Sequence, residues 1–178
     1  ETPICNFGEK AKSFDLLSTT NKKISLNDIK GKNGTLIMFI CNHCPYVKAV
    51  VKDIVEDAKY LETLDIKSVA IMSNDVKNYP EDSFKNMISF SKLHNFSFPY
   101  LIDETQKIAK EYGAVCTPDF FGYNKNLELQ YRGRIRELKN LKPVGKGNSD
   151  LRIAMQLIAT SGKGPKNQIP SMGCNIKW

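Results

Sequence analysis

Apolar residues change their spacing along this chain, and each change marks an element. Residues 35–40 are nearly continuous in apolar side chains and short, the pattern of a central strand buried on both faces. From Tyr46 the apolar positions are Val47, Val50, Val51, Ile54, Val55, Ala58 and Leu61, three and four apart, which predicts a helix over 46–64. Pro45 suits the first turn of that helix, where a missing N–H is no loss. Residues 66–72 read as a second buried strand, ending in Ser73-Asn74-Asp75. Pro80-Glu81-Asp82-Ser83 starts another helix, with Phe84, Met87, Ile88 and Leu93 as its apolar face. A short strand over 98–102 leads to Asp103, which caps a helix over 105–112 closed by Gly113.

The flanks fit the same scheme. Residues 11–17 and 22–25 form a hairpin around Ser18 to Asn21, and 26–31 one helical turn. Residues 118–123 and 127–132 form a second hairpin. Ser149 or Asp150 caps a last helix over 151–160, and a Gly/Pro/Lys-rich tail follows from Ser161. Strands alternating with helices, then a closing hairpin and helix, predict an α/β fold with a mixed central sheet flanked by helices and an N-terminal β-hairpin extension. There is no internal repeat, so one domain over 1–178, tail 161–178 included, is expected.

Composition narrows the class. At 178 residues, 41% hydrophobic and 25% charged, the chain can bury a sizeable core. The formal net charge is +7, but the lysines are scattered and not interleaved with aromatics. That is a solvated basic surface, not a nucleic-acid footprint. No stretch approaches the ~18–20 apolar residues of a membrane span. The chain begins at Glu1 with no visible signal peptide, so a processed N-terminus is expected, and cytoplasm and periplasm both fit. A monomer or weak dimer is expected.

Candidate chemistry concentrates at Cys41-Asn42-His43-Cys44-Pro45, where a predicted strand runs into a predicted helix. That is the context of a Cys-x-x-Cys redox motif. Helix-opening N–H groups and the helix dipole are expected to favour a thiolate on Cys41, with His43 adding to the effect. The two-residue gap brings both sulfurs within bonding reach. The chain has five cysteines, an odd number that argues against a simple paired framework. A structural zinc site would want a second close ligand pair; His94 stands alone and Cys116 and Cys174 are far apart in sequence, so neither metal nor cofactor is expected. Cys5 reads as incidental.

The order strand, Cys-x-x-Cys-Pro, helix, then Thr117-Pro118 before a hairpin resembles the thioredoxin-like superfamily. Within it the chain is similar to the redoxin or peroxiredoxin-like branch of AhpC/TSA type, which grades into TlpA/ResA-like thiol–disulfide oxidoreductases. The resemblance is carried by residues 8–16, 38–49, 78–82, 99–106, 116–121, 131–135 and 173–178, nearly the whole chain. The signature Cys-Asn-His-Cys-Pro-Tyr-Val-Lys is shared with a bacterial peroxiredoxin-like subgroup. The resemblance implies an enzyme that cycles Cys41 and Cys44 between dithiol and disulfide, with Cys41 attacking and Cys44 resolving. Its partners would be protein disulfides or dithiols, or a thioredoxin-type reductant. Pro118 takes the place of the superfamily's cis-proline, which would leave the Thr117 backbone open to an extended substrate peptide. His43 would ease reduction of the disulfide.

The sequence departs from the family pattern in two ways. Strand 36–40 carries no acid for proton transfer, so the Cys44 proton needs another route, such as water. If Cys44 is aligned with a peroxidatic cysteine, Cys41 replaces the Thr/Ser that would orient a peroxide. Arg134 could still bring a cation to a peroxide or thiolate. A hydroperoxide-reducing thiol peroxidase and a non-catalytic binding module are therefore the alternative readings. Cys116 and Cys174 are candidates for a resolving or regulatory disulfide, and Trp178 for an apolar anchor that docks the tail.

Overall fold

The computed structural model describes residues 6–178; Cys5 lies outside them. The hairpin β1 (Asp15–Ser18) and β2 (Lys23–Ser25) is followed by one 3₁₀ turn, then β3 (Gly34–Phe39), α1 (Pro45–Glu62) and β4 (Ile66–Met72). α2 (Phe84–Leu93), β5 (Tyr100–Ile102), α3 (Lys107–Tyr112) and the two-residue β6 (Cys116–Thr117) come next. β7 (Asp119–Tyr123) and β8 (Leu129–Arg132) form the second hairpin. A small hairpin, β9 (Leu138–Lys139) and β10 (Lys142–Pro143), precedes α4 (Asp150–Ser161) and the short β11 (Cys174–Asn175).

Seven strands make the main sheet, in the order β2-β1-β5-β4-β3-β7-β8. β3, β4 and β5 are parallel, while β7, β8 and the β1–β2 extension run antiparallel to their neighbours, so the sheet is mixed as expected. All six residues of β3 are buried, because helices cover both faces. Leu36, Met38 and Ile40 face the layer of α1 and α4. Ile37 and Phe39 face the opposite layer, with Ala109 and Tyr112 of α3. Each such side chain contributes roughly 1.5–3 kcal/mol by leaving water. Gly122 on β7 lets α4 close down, since a Cβ there would stand 2.6 Å from Met155 Sδ.

Three expectations change. The segment from Pro80 is a 3₁₀ turn over Pro80–Asp82, and α2 starts only at Phe84, with Ser83 as its N-cap accepting from the Asn86 N–H. Asp82 is therefore not an acid of that helix's first turn: its carboxylate is turned inward and fully buried. Leu93 is 75% exposed, and Phe90 takes its place on the buried face with Met87. Asp103 does hold the start of α3, accepting from the Ile108 and Ala109 N–H groups.

Candidate active site

β3 runs straight toward the cysteines; the Ile40 N–H, one residue past its end, still bonds the Ile71 carbonyl of β4 at 3.0 Å. Cys41 follows. α1 begins at Pro45, so the N-cap is Cys44, not Cys41. The helix opening therefore lies at Cys44, three residues past the Cys41 where a thiolate is expected from the sequence. The free amides and the dipole of a helix favour a thiolate on its N-cap residue, and Cys44 holds that place without a regular capping hydrogen bond to its sulfur. The Cys41 thiol donates to Cys44, which lowers the Cys44 pKa more than any other contact, against the cost of burial. The Cys174 thiol, the Val47 N–H and the Cys174 N–H add to it. One contact opposes: as a thiol, Cys44 donates to the Thr117 carbonyl at 3.3 Å, which favours the protonated form. Cys41 is pushed up instead, first by donating to Cys44, then by burial and the charge of Asp82. The two residues are 1% and 0% exposed.

A buried carboxylate closes the other side. Asp82 accepts from the Asn42 N–H at 2.8 Å and the Asn74 side-chain amide at 2.9 Å. His43 Nδ1 comes to 2.6 Å from it, off the line of the ring N–H, so this is a close contact without regular hydrogen-bond geometry. Tyr100 donates to Asn42 Oδ1 at 2.8 Å, fixing the loop between the cysteines. Cys41 Sγ, His43 Nδ1 and an Asp82 oxygen all lie within 4.8 Å of one another. Excluding a metal by counting close Cys and His pairs missed this third donor. The 2.6 Å between Nδ1 and the carboxylate is nevertheless shorter than the about 3.3 Å between two donors on one tetrahedral zinc.

The Thr117–Pro118 peptide is cis, as the resemblance implied. The edge beside it is not open, and this corrects the expected peptide site. β11 pairs antiparallel with β6, Cys174 opposite Thr117 and Asn175 opposite Cys116. Gly173 packs where no side chain fits, since a Cβ would stand 2.0 Å from the Thr117 carbonyl. The Lys177 carbonyl accepts from the Asp75 N–H and the Gln106 amide, both at 2.7 Å, and the Lys177 N–H donates to Asn74 at 2.9 Å. The tail's anchor is Ile176, which is buried; Trp178 is 51% exposed with Lys110 over its ring.

The remaining candidates separate. Cys174 is half-buried against Cys44, and burial first, then its hydrogen bond to Cys44, raises its pKa to about 11. Cys116 is buried with its thiol toward the Pro118 carbonyl, and burial pushes it up to about 12. Arg134 is held by Asp150 of α4 at 2.7 Å rather than by a sulfur, so the expected cation is committed elsewhere. It lines an open cleft of about 350 Å³ beside Pro118 and Tyr46. Sequence reasoning missed Asp82, Asn42, Asn74 and Tyr100. All four lay in stretches already singled out, but as loop or strand residues, and Asp82 looked like a first-turn acid.

Residues 7–138 match the AhpC/TSA family. No curated protein matches the chain. An uncharacterised conserved protein from Geobacillus kaustophilus is 38% identical, with a TM-score of 0.92 over 98% of this chain and 93% of its own. A hypothetical protein from Sinorhizobium meliloti is 33% identical, also with a TM-score of 0.92, over 99% and 97%. The thioredoxin domain of a thiol-disulfide oxidoreductase from Bacteroides vulgatus is 13% identical, with a TM-score of 0.61 over 77% and 91%, and shares the fold. Among the described residues no helix is long and apolar enough to cross a membrane.

Proposed function

The chain belongs to the AhpC/TSA family and has a thioredoxin-like fold, and from that premise we propose that it is a thiol–disulfide oxidoreductase whose redox pair is Cys41 and Cys44. The observation that carries this reading is the placement of two buried cysteines at the opening of α1, with Cys44 at the N-cap, where a helix's free amides and dipole favour a thiolate. It reverses the order of roles expected from the sequence. Cys44, the acidic thiol, is the nucleophile. Its thiolate attacks one sulfur of a substrate disulfide, a Cys44–substrate bond forms, and the second substrate sulfur leaves and takes a proton. Cys41 then attacks Cys44, the substrate thiolate departs, and the protein holds a Cys41–Cys44 disulfide. Two electrons have passed to the substrate. The proton of Cys41 has a nearby destination in the His43–Asp82 pair. An external dithiol restores the reduced form. The helix opening at Cys44 stabilises its reduced thiolate, so the pair's potential is less negative than thioredoxin's.

One observation favours a second reading, reduction of hydroperoxides: both sulfurs are closed to a bulky partner while a small oxidant needs less room. Against it, Cys41 stands in place of the orienting hydroxyl, and the one arginine suggested for the role is bound to Asp150. A single-turnover experiment separates the two. Reduced protein is mixed with one equivalent of hydrogen peroxide or of a disulfide-bonded protein, acid-quenched, and its free thiols counted by mass. Rapid loss of two thiols with the disulfide, and slow loss with peroxide, supports the exchange reading. The reverse order replaces it with a peroxidase, and full activity in Cys41→Ser and Cys44→Ser overturns the pair altogether.

A further inference from the structure

Cys44 touches two thiols, not one. Cys41 and Cys44 share one buried cluster, and Cys174 of the tail packs against it, opposite Thr117, whose carbonyl accepts from the Cys44 thiol at 3.3 Å. The tail reaches that position as an added antiparallel strand on β6, the way an extended peptide adds to an exposed sheet edge. It is fixed there by buried Ile176, by Gly173 against the Thr117 carbonyl, and by the amide clamp on Lys177. The chain thus supplies its own occupant for the peptide edge, with a cysteine at the register position opposite Thr117.

We propose that Cys174 is a third redox residue: the tail is a built-in substrate strand that takes the disulfide from Cys41–Cys44 as Cys44–Cys174 and presents it to the external reductant. This inference rests on the oxidoreductase reading of Cys41 and Cys44. In the transfer, Cys174 gives up its proton and bonds Cys44, the Cys41–Cys44 bond breaks, and Cys41 takes a proton. Nothing is oxidised or reduced in net. A dithiol of the thioredoxin type then attacks the sulfur of Cys174, which is half-buried while Cys41 is closed to solvent. Cys44 departs as thiolate, and a low-pKa thiol is the faster leaving group. The second thiol of the reductant attacks its own mixed disulfide and releases reduced Cys174. Oxidation in the pocket and reduction at the surface thereby use different partners of one central sulfur.

The test uses the full chain and oxidised glutathione. Reduced Cys41→Ser protein is mixed with it, acid-quenched over time, and its disulfides mapped by protease digestion and mass. The expected product is a Cys44–Cys174 peptide, lighter by two hydrogens, that replaces a transient glutathione adduct on Cys44. A persistent adduct on Cys44 with Cys174 free overturns the proposal while leaving Cys44 as the nucleophile. No adduct on Cys44 at all overturns both readings. In a second arm, Cys174→Ser and Cys174→Ala are cycled with a thioredoxin-type dithiol, folding being checked by thermal melting. Loss of turnover that exceeds any slowing of the first oxidation supports the relay. Turnover equal to wild type in both variants overturns it.

Discussion

Cys44 is pulled down to about 4, and this makes a quantitative claim about alkylation as pH is varied. A free thiol with a pKa of about 8.5 is roughly 0.1% thiolate at about pH 5.5. Cys44 is almost wholly thiolate there, a gain in reactive fraction of about a thousandfold. Its intrinsic nucleophilicity falls at the same time. A drop of about 4.5 pKa units, at a Brønsted slope of ~0.4–0.5, costs on the order of a hundredfold. The net is an intrinsic rate about tenfold above a free thiol at about pH 5.5, with parity near about pH 6.5. Burial slows the reaction by a further factor that multiplies every point, so the shape of the profile is the readout. Reduced protein is pulsed with iodoacetamide across a pH series, quenched, and labelled cysteines are located by peptide mass. Cys44 labelling is expected to be flat above about pH 5, while Cys41, Cys116 and Cys174, all raised, stay unlabelled in acid. A Cys44 rate that climbs about tenfold per pH unit up to about pH 8.5, or Cys41 labelled first, refutes the assignment of the acidic thiol.

The same shift bears on stability. Between the folded and unfolded pKa values of Cys44 the unfolded chain holds a proton that the folded chain has lost, so reduced protein gains stability as pH rises from about 4 toward about 8.5 and loses it as pH falls. Urea melts of the reduced protein across that window should show the rise, and melts of the oxidised protein should lack this contribution. Asp82→Asn removes the carboxylate beside Cys41 and is expected to slow closure of the Cys41–Cys44 disulfide by about a hundredfold, so quenched samples accumulate the Cys44–substrate adduct; closure at the wild-type rate excludes the His43–Asp82 proton route. Arg132 and Asp119 are a buried pair at 2.8 Å, and Arg132→Leu leaves the carboxylate uncompensated. A loss of about 3–5 kcal/mol in urea unfolding is expected, and a loss below about 1 kcal/mol contradicts the pairing.

Much of the frame was legible because it rests on burial periodicity. β3, α1 and β4 and both hairpins follow from which positions are apolar, and the Cys-x-x-Cys motif lies where β3 meets α1. What the pattern does not report is which polar groups meet. Asp82 looked like a helix-start acid because local spacing cannot show that Asn42 and Asn74 surround its carboxylate. The N-cap of α1 also mattered more than the helix's existence: the start at Pro45, within one residue of the expected one, places the helix opening at Cys44 and three residues past Cys41. The β6–β11 pairing involves two residues a side, too few for any alternation to register, so the filled edge beside Thr117 had no local signature. Within the tail, Trp178 drew the eye by size, yet Ile176 points inward because pairing with β6 sets the alternation.

Asn74 has one further consequence. Its amide nitrogen bonds Asp82 and its oxygen bonds the Lys177 N–H, so a single planar group spans the carboxylate and the tail. Lifting the tail frees one end of that group and loosens its hold on the other. Linkage runs both ways: whatever displaces the Asp82 carboxylate from Asn74 must equally make the tail easier to detach. The strand that shields Cys44 and the carboxylate that faces Cys41 therefore form one mechanical unit, and a partner that displaces the first also loosens the second.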